Sequence, residues 1–128
     1  MFSRRALFAA LAIASLALPA AAAESIAYTP AAFDAAQKAG QSVLVDVTAP
    51  WCPTCKAQKP ILSKLESDAK FKALVVFYVD FDSQKDVLQR LGVRQQSTLI
   101  TFNKGQETGR SVGDTNPDSL AALLDKAI

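Results

Sequence analysis

The two cysteines of the chain, Cys52 and Cys55, lie two residues apart in the sequence Trp51-Cys52-Pro53-Thr54-Cys55. Two thiols at this spacing can close a small disulfide ring and open it again by thiol–disulfide exchange. A structural disulfide would close only a very short loop here, and the stabilisation from a cross-link grows with the length of the loop. The spacing therefore indicates a pair that reacts, with the disulfide itself carrying the electrons and no further cofactor.

The position of Cys52 predicts how the pair would react. It follows an apolar run and precedes a helical pattern, with Pro53 in the first helical turn, where its missing N–H costs nothing. Unpaired backbone N–H groups and the helix dipole stabilise negative charge there, so we expect a lowered pKa for the Cys52 thiol. Cys55 lies one turn deeper on the same side, and we expect it to resolve a mixed disulfide formed at Cys52.

Two residues near the pair could support it. Asp46 stands in the apolar run 42–48, which has the pattern of a strand buried on both faces. A carboxylate there is costly unless it is paired or protonated. We therefore expect Asp46 to have a raised pKa and to exchange protons with Cys55, unless it lies at an exposed strand end. Trp51 is expected either to flank the site as an apolar lid or to pack in the core.

Metal binding is the main alternative for a Cys-x-x-Cys pair. The chain has no histidine, and its single methionine is Met1. Structural zinc takes four protein ligands, more than this chain offers, so we predict no metal site. A Cu(I) carrier, which needs only two thiolates, stays open as an alternative, and so does a binding module whose disulfide serves only as a staple.

Residues 1–23 have the pattern of a secretory signal peptide. Arg4 and Arg5 form a basic start, residues 6–18 are apolar and rich in alanine, and the small residues 20–23 suit a signal peptidase. A membrane-spanning helix would need about 20 strongly apolar residues. We expect cleavage after Ala23 and a periplasmic or otherwise exported protein, and the paired arginines look like an imperfect twin-arginine signal.

The remaining residues, 24–128, are expected to form one small domain. The formal net charge of +2 equals the contribution of Arg4 and Arg5, so this domain is near neutral, which gives no indication of nucleic-acid binding. Periodicity and turn residues predict the order β-α-β-α-β-α-β-β-α, an α/β fold with helices on both faces of a mixed sheet of four to five strands. In the second helix, residues 52–69, we expect Leu62 to face the core and Glu66 to face solvent.

The whole of this domain resembles the thioredoxin family. The resemblance rests on V-L-V-D-V with its aspartate six residues before the first cysteine, on A-P-W-C-P-T-C-K, and on a proline five residues after the second cysteine. Further family positions are Gly92, Thr98, Phe102, Gly105 and Gly113. The resemblance implies the thioredoxin fold, with Cys52 as nucleophile, Cys55 as resolving thiol and Trp51, Pro53, Thr54 and Asp46 as supporting residues.

Three positions depart from the family pattern. The family places a cis-proline before the threonine that opens the fourth strand, in a loop that pairs with the substrate backbone; this chain has Gln96-Ser97-Thr98. A cis bond before a non-proline residue costs about 2.5–4 kcal/mol, so we expect a trans bond before Ser97. Tyr78 replaces the family's buried lysine, which favours a neutral Asp46, and Thr48 replaces an aromatic residue.

The W-C-P-T-C motif is similar to that of the periplasmic reductases of cytochrome c maturation. This similarity implies a disulfide reductase that acts on protein thiols and disulfides and is re-reduced by a membrane electron donor. The altered substrate loop at Ser97 predicts a specialised rather than a general reductase, and we expect a monomer. The opposite direction, a disulfide oxidase, stays open, because a difference of 30 mV between two potentials corresponds to only about 1.4 kcal/mol.

Overall fold

The computed structural model describes residues 22–128. Residues 1–21, which hold most of the predicted signal peptide, lie outside the described part. The strands are β1 (Glu24–Ala27), β2 (Val43–Thr48), β3 (Val75–Asp80), β4 (Thr98–Asn103) and β5 (Gln106–Val112). The helices are α1 (Pro30–Lys38), α2 (Pro53–Glu66), α3 (Lys85–Leu91) and α4 (Pro117–Asp125), with a short 3-10 helix at Ala69–Phe71. The predicted element order is confirmed.

The five strands form one mixed sheet in the order β1-β3-β2-β4-β5. Strand β3 pairs in parallel with both β1 and β2, whereas β4 runs antiparallel to β2 and β5 antiparallel to β4. Strand β2 is therefore central, and its residues Val43 to Val47 are all buried. The apolar, β-branched composition of β2 suits this position, because both of its faces are covered.

Each face of the sheet packs against two helices, as the alternation of side chains along a strand requires. On one face, Val45 and Phe77 pack with Phe33 of α1 and Val87 of α3. On the other face, Leu44, Val76 and Leu99 pack with Leu62 of α2 and with the leucines of α4. Asp46 belongs to this second face, since it lies two residues from Leu44, and it is therefore beneath α2.

Helix α2 begins at Pro53, with Cys52 as its N-cap residue, and continues through Pro60. It ends at Glu66, three residues earlier than the pattern predicts, because the chain turns into the 3-10 helix. The expectation that Glu66 faces solvent is wrong. The buried residues of α2 are Cys55, Gln58, Leu62 and Glu66, which share one helical face at spacings of three and four. In residues 22–128 no helix is long and apolar enough to span a membrane.

Candidate active site

The two cysteines form a disulfide between the end of β2 and the start of α2. As the N-cap residue, Cys52 accepts a hydrogen bond at its Sγ from the backbone N–H of Cys55, at 3.1 Å. This is the place where a helix leaves N–H groups without partners inside the helix. Cys52 is fully buried, and Cys55 is 8% exposed. A substrate that attacks or is attacked at Cys52 must therefore displace something that covers it.

Ser97 lies against the disulfide. Its Oγ is 3.1 Å from the Sγ of Cys52 and 3.1 Å from the Sγ of Cys55. The side chain is 2% exposed, so solvent does not compete for these contacts. Residues 22–128 contain no cis peptide bond, which confirms the expected trans bond before Ser97.

The backbone of Ser97 is held by neighbouring strands and loops. Its φ of 62° lies in the left-handed region, which is uncommon for a residue with a side chain. Its N–H donates to the carbonyl of Val47 at 2.8 Å, and its carbonyl accepts from the N–H of Gly113 at 3.0 Å. These bonds compensate the unfavourable conformation and point the hydroxyl at the sulfurs.

Gln58 is a site residue that the sequence reasoning missed. It is 1% exposed on the buried face of α2, one turn after Cys55. Its Nε2 donates to the carbonyl of Asp114 at 2.9 Å and to that of Ser97 at 3.4 Å. Gln58 thus connects the helix that carries the cysteines to the loop that covers them. Its spacing of three from Cys55 on a helix is the signal that could have found it.

Trp51 is 53% exposed and does not pack in the core. Its Nε1 donates to Oδ2 of Asp82 at 2.8 Å, and its ring meets Phe81 edge to face with the centroids 6.4 Å apart. The indole is therefore a fixed apolar surface beside the disulfide. The lid interpretation fits better than core packing, although Ser97 rather than Trp51 forms the contacts with the sulfurs.

Asp46 is buried, at 8% exposure, so the exposed strand end is excluded. Burial raises the pKa of Asp46 from 3.8 to about 6. A cavity of about 310 Å³ lies between the sheet and α2, lined by Asp46, Cys55, Lys59, Tyr78 and their neighbours. The structure thus brings Asp46 and Cys55 to the walls of one cavity, as the proton-exchange hypothesis requires.

A second buried carboxyl lies near Asp46. Burial, reinforced by the negative charge of Asp46, raises the pKa of Glu66 from 4.5 to about 7. Its Oε1 is buried without a hydrogen-bond partner among the described residues. Burial raises the pKa of Tyr78 as well, and the charges of Glu66 and Asp46 add to the effect. Burial is the cause of the raised pKa of Asp46, although Lys59 lines the same cavity. The expectation that Tyr78 leaves Asp46 without a cation stays a prediction.

The other predicted site residues lie around this centre. Pro53 is exposed at the first position of α2, and Thr54 is half-buried next to Gly113. Gln96 is half-buried, and the buried Thr98 donates its hydroxyl to the carbonyl of Gln95 at 2.7 Å. Within residues 22–128 no three Cys, His, Asp or Glu side chains come together as a metal-binding group.

Comparison with known proteins identifies the family. The thioredoxin family model matches residues 24–126. The chain is 37% identical to a thioredoxin from Pseudomonas aeruginosa over 91 residues, which cover 71% of this chain and 83% of that protein. It is 38% identical to a thioredoxin from Chlamydia trachomatis over 84 residues, 66% of this chain and 80% of that protein. The crystal structure of Trxlp from Edwardsiella tarda is 48% identical and superposes with a TM-score of 0.77, covering 79% of this chain and 98% of the other.

The chain belongs to the thioredoxin family. Its fold is the thioredoxin fold, and the Cys52–Cys55 pair makes it a thiol–disulfide oxidoreductase that acts on protein thiols and disulfides.

The thioredoxin pair reacts by exchange of sulfur partners. A thiolate of the reduced pair attacks one sulfur of a substrate disulfide and forms a mixed disulfide, and the leaving substrate sulfur takes up a proton. The second cysteine then attacks the mixed disulfide and releases the other substrate thiol. Two electrons pass from the protein to the substrate. Cys52 is the N-cap residue of α2, a position where the helix dipole favours negative charge.

Thr48 changes the surroundings of Cys55 relative to general thioredoxins. It lines the cavity of about 310 Å³ beside Asp46 and a second one of about 480 Å³, and Cys55 lines both. A larger aromatic side chain at position 48 would occupy part of this space. Cys55 therefore borders open space, whereas Cys52 lines neither cavity and is fully buried.

Proposed function

We propose that this protein is an exported thioredoxin specialised as a disulfide reductase for a narrow set of protein substrates. The observation that carries the proposal is the arrangement of Ser97. Its side chain covers the sulfurs, and its own N–H and carbonyl bond to Val47 and Gly113. A general thioredoxin presents a loop that pairs with the backbone of many substrates. Here, a substrate must fit a covered site in which the backbone N–H and carbonyl of Ser97 are already engaged.

The test of specialisation compares two substrate classes. Reduction of insulin by the purified protein should be much slower than reduction by an ordinary thioredoxin under the same conditions. Reduction of a small aromatic disulfide, which needs no backbone pairing, should differ less. An insulin rate equal to that of an ordinary thioredoxin would show that the loop does not restrict substrates.

The physiological partners should be captured by a Cys55→Ser variant. Removal of the resolving thiol should leave substrates bound to Cys52 as mixed disulfides, which are released by a reducing agent. A Cys52→Ser/Cys55→Ser double variant is the matched control. If exported extracts yield no covalent adduct, the result argues against enzymatic exchange and favours the alternative of a Cu(I) carrier. Titration of the reduced protein with Cu(I) would then test that alternative.

The direction of electron flow is proposed on the similarity of W-C-P-T-C to the periplasmic reductases of cytochrome c maturation. A reductase in an oxidising compartment needs a supply of electrons, so we expect a membrane protein to re-reduce the Cys52–Cys55 disulfide. Apart from that disulfide no cofactor is needed. A reduction potential well above that of the glutathione couple would indicate a disulfide oxidase instead.

Export is proposed on the pattern of residues 1–23. The mature protein should begin at Glu24, which N-terminal sequencing of the exported protein can check. A double variant, Arg4→Lys and Arg5→Lys, should still be exported by a general secretory route but not by a twin-arginine route. Retention of the full-length chain in the membrane would contradict cleavage.

The mature domain, residues 24–128, should elute as a monomer in size-exclusion chromatography.

A further inference from the structure

The hydroxyl of Ser97 has two sulfur partners and no other hydrogen-bond partner among the described residues. Its Oγ is equidistant from the Sγ atoms of Cys52 and Cys55, at 3.1 Å from each. The hydroxyl carries a single hydrogen, so it can donate to only one of the two sulfurs at a time. A short rotation about its C–O bond is enough to change the partner.

A disulfide sulfur is a weak acceptor, whereas a thiolate is a charged and much stronger one. The contact is therefore worth more when one of the sulfurs carries a negative charge. We propose that Ser97 is a catalytic residue, whose hydroxyl donates a hydrogen bond to whichever of Cys52 and Cys55 is the thiolate during exchange. The proposal depends on the exchange reaction alone and holds for a reductase and for an oxidase.

The two steps of exchange use the hydroxyl in turn. In the reduced protein it donates to the Cys52 thiolate. That thiolate attacks a substrate disulfide, an S–S bond forms at Cys52, the substrate S–S bond breaks, and the leaving sulfur takes up a proton from solvent. The hydroxyl then turns to Cys55, whose proton passes to the carboxylate of Asp46 through the cavity that both residues line. The Cys55 thiolate attacks the Sγ of Cys52, the Cys52–Cys55 bond forms, and the second substrate sulfur leaves with the electron pair and is protonated.

The surroundings of the sulfurs make this donor important. The donors on Cys52 are the backbone N–H of Cys55, at 3.1 Å, and the Ser97 hydroxyl. The chain has no histidine that could supply a proton or a positive charge. Burial of Ser97 and Cys52 excludes water, which strengthens a hydrogen bond to a charged acceptor. The backbone bonds and Gln58 hold the hydroxyl in place before the charge develops.

Removal of the hydroxyl should destabilise the thiolate relative to the thiol and the disulfide. In Ser97→Ala we expect the pKa of the Cys52 thiol to rise by about one unit, a tenfold change in the ionisation equilibrium. The reduced form loses stability by the same factor. The protein therefore becomes a stronger reductant, with the equilibrium constant against glutathione shifted about tenfold and the potential lowered by about 30 mV.

The experiment titrates the thiolate absorbance of the reduced protein near 240 nm and measures the equilibrium with glutathione. Ser97→Ala removes the hydroxyl and keeps Cβ, while Ser97→Gly removes the hydroxyl and also relaxes the left-handed backbone. Thr101→Val is the matched control, because it deletes a buried hydroxyl on β4, the strand that follows Ser97, and this hydroxyl bonds Gly109 and Thr108 and no sulfur. Ala and Gly should shift both quantities about tenfold, and Val should leave both within about twofold.

The outcomes decide the proposal. Unchanged thiol pKa and potential in Ser97→Ala and Ser97→Gly would overturn it. A shift in Thr101→Val as large as in Ser97→Ala would also overturn it, because loss of any buried hydroxyl near the site would then be sufficient. If Ser97→Ala does not fold, the comparison of Ser97→Gly with Thr101→Val decides. A slower release of substrate from the mixed disulfide in the Ser97 variants would support the role at Cys55.

Discussion

Gln58 on helix α2 donates to the carbonyl of Ser97 at 3.4 Å and to the carbonyl of Asp114 at 2.9 Å. This side chain ties the helix that holds the cysteines to the loop whose hydroxyl contacts both sulfurs. The loop and the disulfide are therefore parts of one buried hydrogen-bonded unit rather than two surfaces that meet only when a substrate binds.

Replacement of Gln58 by methionine should loosen this unit. Methionine keeps the volume and loses the donor, so buried carbonyls lose a partner, which costs about 1–3 kcal/mol in the free energy of unfolding. The thiol pKa should rise in the same direction as in Ser97→Ala, since the hydroxyl is held less firmly. Urea unfolding and thiolate titration measure the two effects. Lys64→Met, at an exposed residue of the same helix that does not line the cavities beside Cys55, is the control. Equal effects of both variants would contradict the role of Gln58 in holding the loop.

Trp51 is expected to contribute to the recognition of protein substrates. Its indole is 53% exposed and fixed by Asp82. Truncation in Trp51→Ala should lower kcat/KM for a protein disulfide about tenfold, as for an aromatic anchor in an interface, with little change for a small disulfide. Ile128→Ala, at another exposed apolar residue, is the control. A similar loss for both kinds of substrate would mean that Trp51 acts on the disulfide itself.

Asp46 should act as the proton acceptor for Cys55. Both residues line the cavity of about 310 Å³, through which water can pass a proton. Because the pKa of Asp46 is about 6, the carboxylate is mostly ionised at pH 7, and release of substrate from the mixed disulfide should accelerate as the pH rises through 6. Asp46→Asn should slow this step by about a hundredfold and abolish the inflection.

Stopped-flow measurement of the mixed-disulfide step between pH 5 and 8 gives this profile. Ser63→Ala is the matched control, because it changes another wall of the same cavity without removing a titrating group. If Asp46→Asn retained the inflection near pH 6, a different group would be the proton acceptor.

Sequence reasoning predicted the fold because each element carries a local signal. Each signal lies within or next to its own element. Examples are the apolar run of β2, the Asn116-Pro117 start of α4 and the glycine after α3. The reactive pair was likewise evident, since its two members are neighbours in the chain. The burial of Asp46 was predictable because a carboxylate in the middle of an apolar strand has no exposed face to occupy.

The rest of the site depends on contacts between distant segments or on polar residues that face inward. The Ser97 hydroxyl meets sulfurs 45 and 42 residues earlier in the chain, and no local pattern gives such a distance. Gln58 and Glu66 are polar residues. Residue type therefore predicted a solvent-facing Glu66 and indicated no role for Gln58. Their spacing from Cys55 and Leu62 places them on the buried face, and helical geometry prevails over polarity once the helix packs.

Two buried carboxyls should make the stability of the domain fall as the pH rises. The pKa of Asp46 is raised to about 6 and that of Glu66 to about 7, so between about pH 4 and pH 7 the folded state binds more protons than the unfolded state. The free energy of unfolding then decreases with pH. The neutral carboxyls contribute fully to the free energy of unfolding below pH 4, near the pKa values of the two groups in the unfolded chain. This contribution is lost as the pH rises through the folded-state pKa values of about 6 and about 7.

Glu66→Gln, which keeps the shape and removes the charge, should therefore be more stable than the wild type at pH 8. The rise from 4.5 to about 7, at about 1.4 kcal/mol per unit, sets an upper limit of about 3.5 kcal/mol. Because solvent screens part of this effect, we expect a gain on the order of 2 kcal/mol. At pH 4, where Glu66 is neutral in the folded state, the two proteins should unfold at nearly the same urea concentration. Ser63→Ala, a nearby change without a titrating group, should alter stability equally at both pH values. A constant difference between Glu66→Gln and wild type from pH 4 to 8 would show that Glu66 is not buried as a neutral acid.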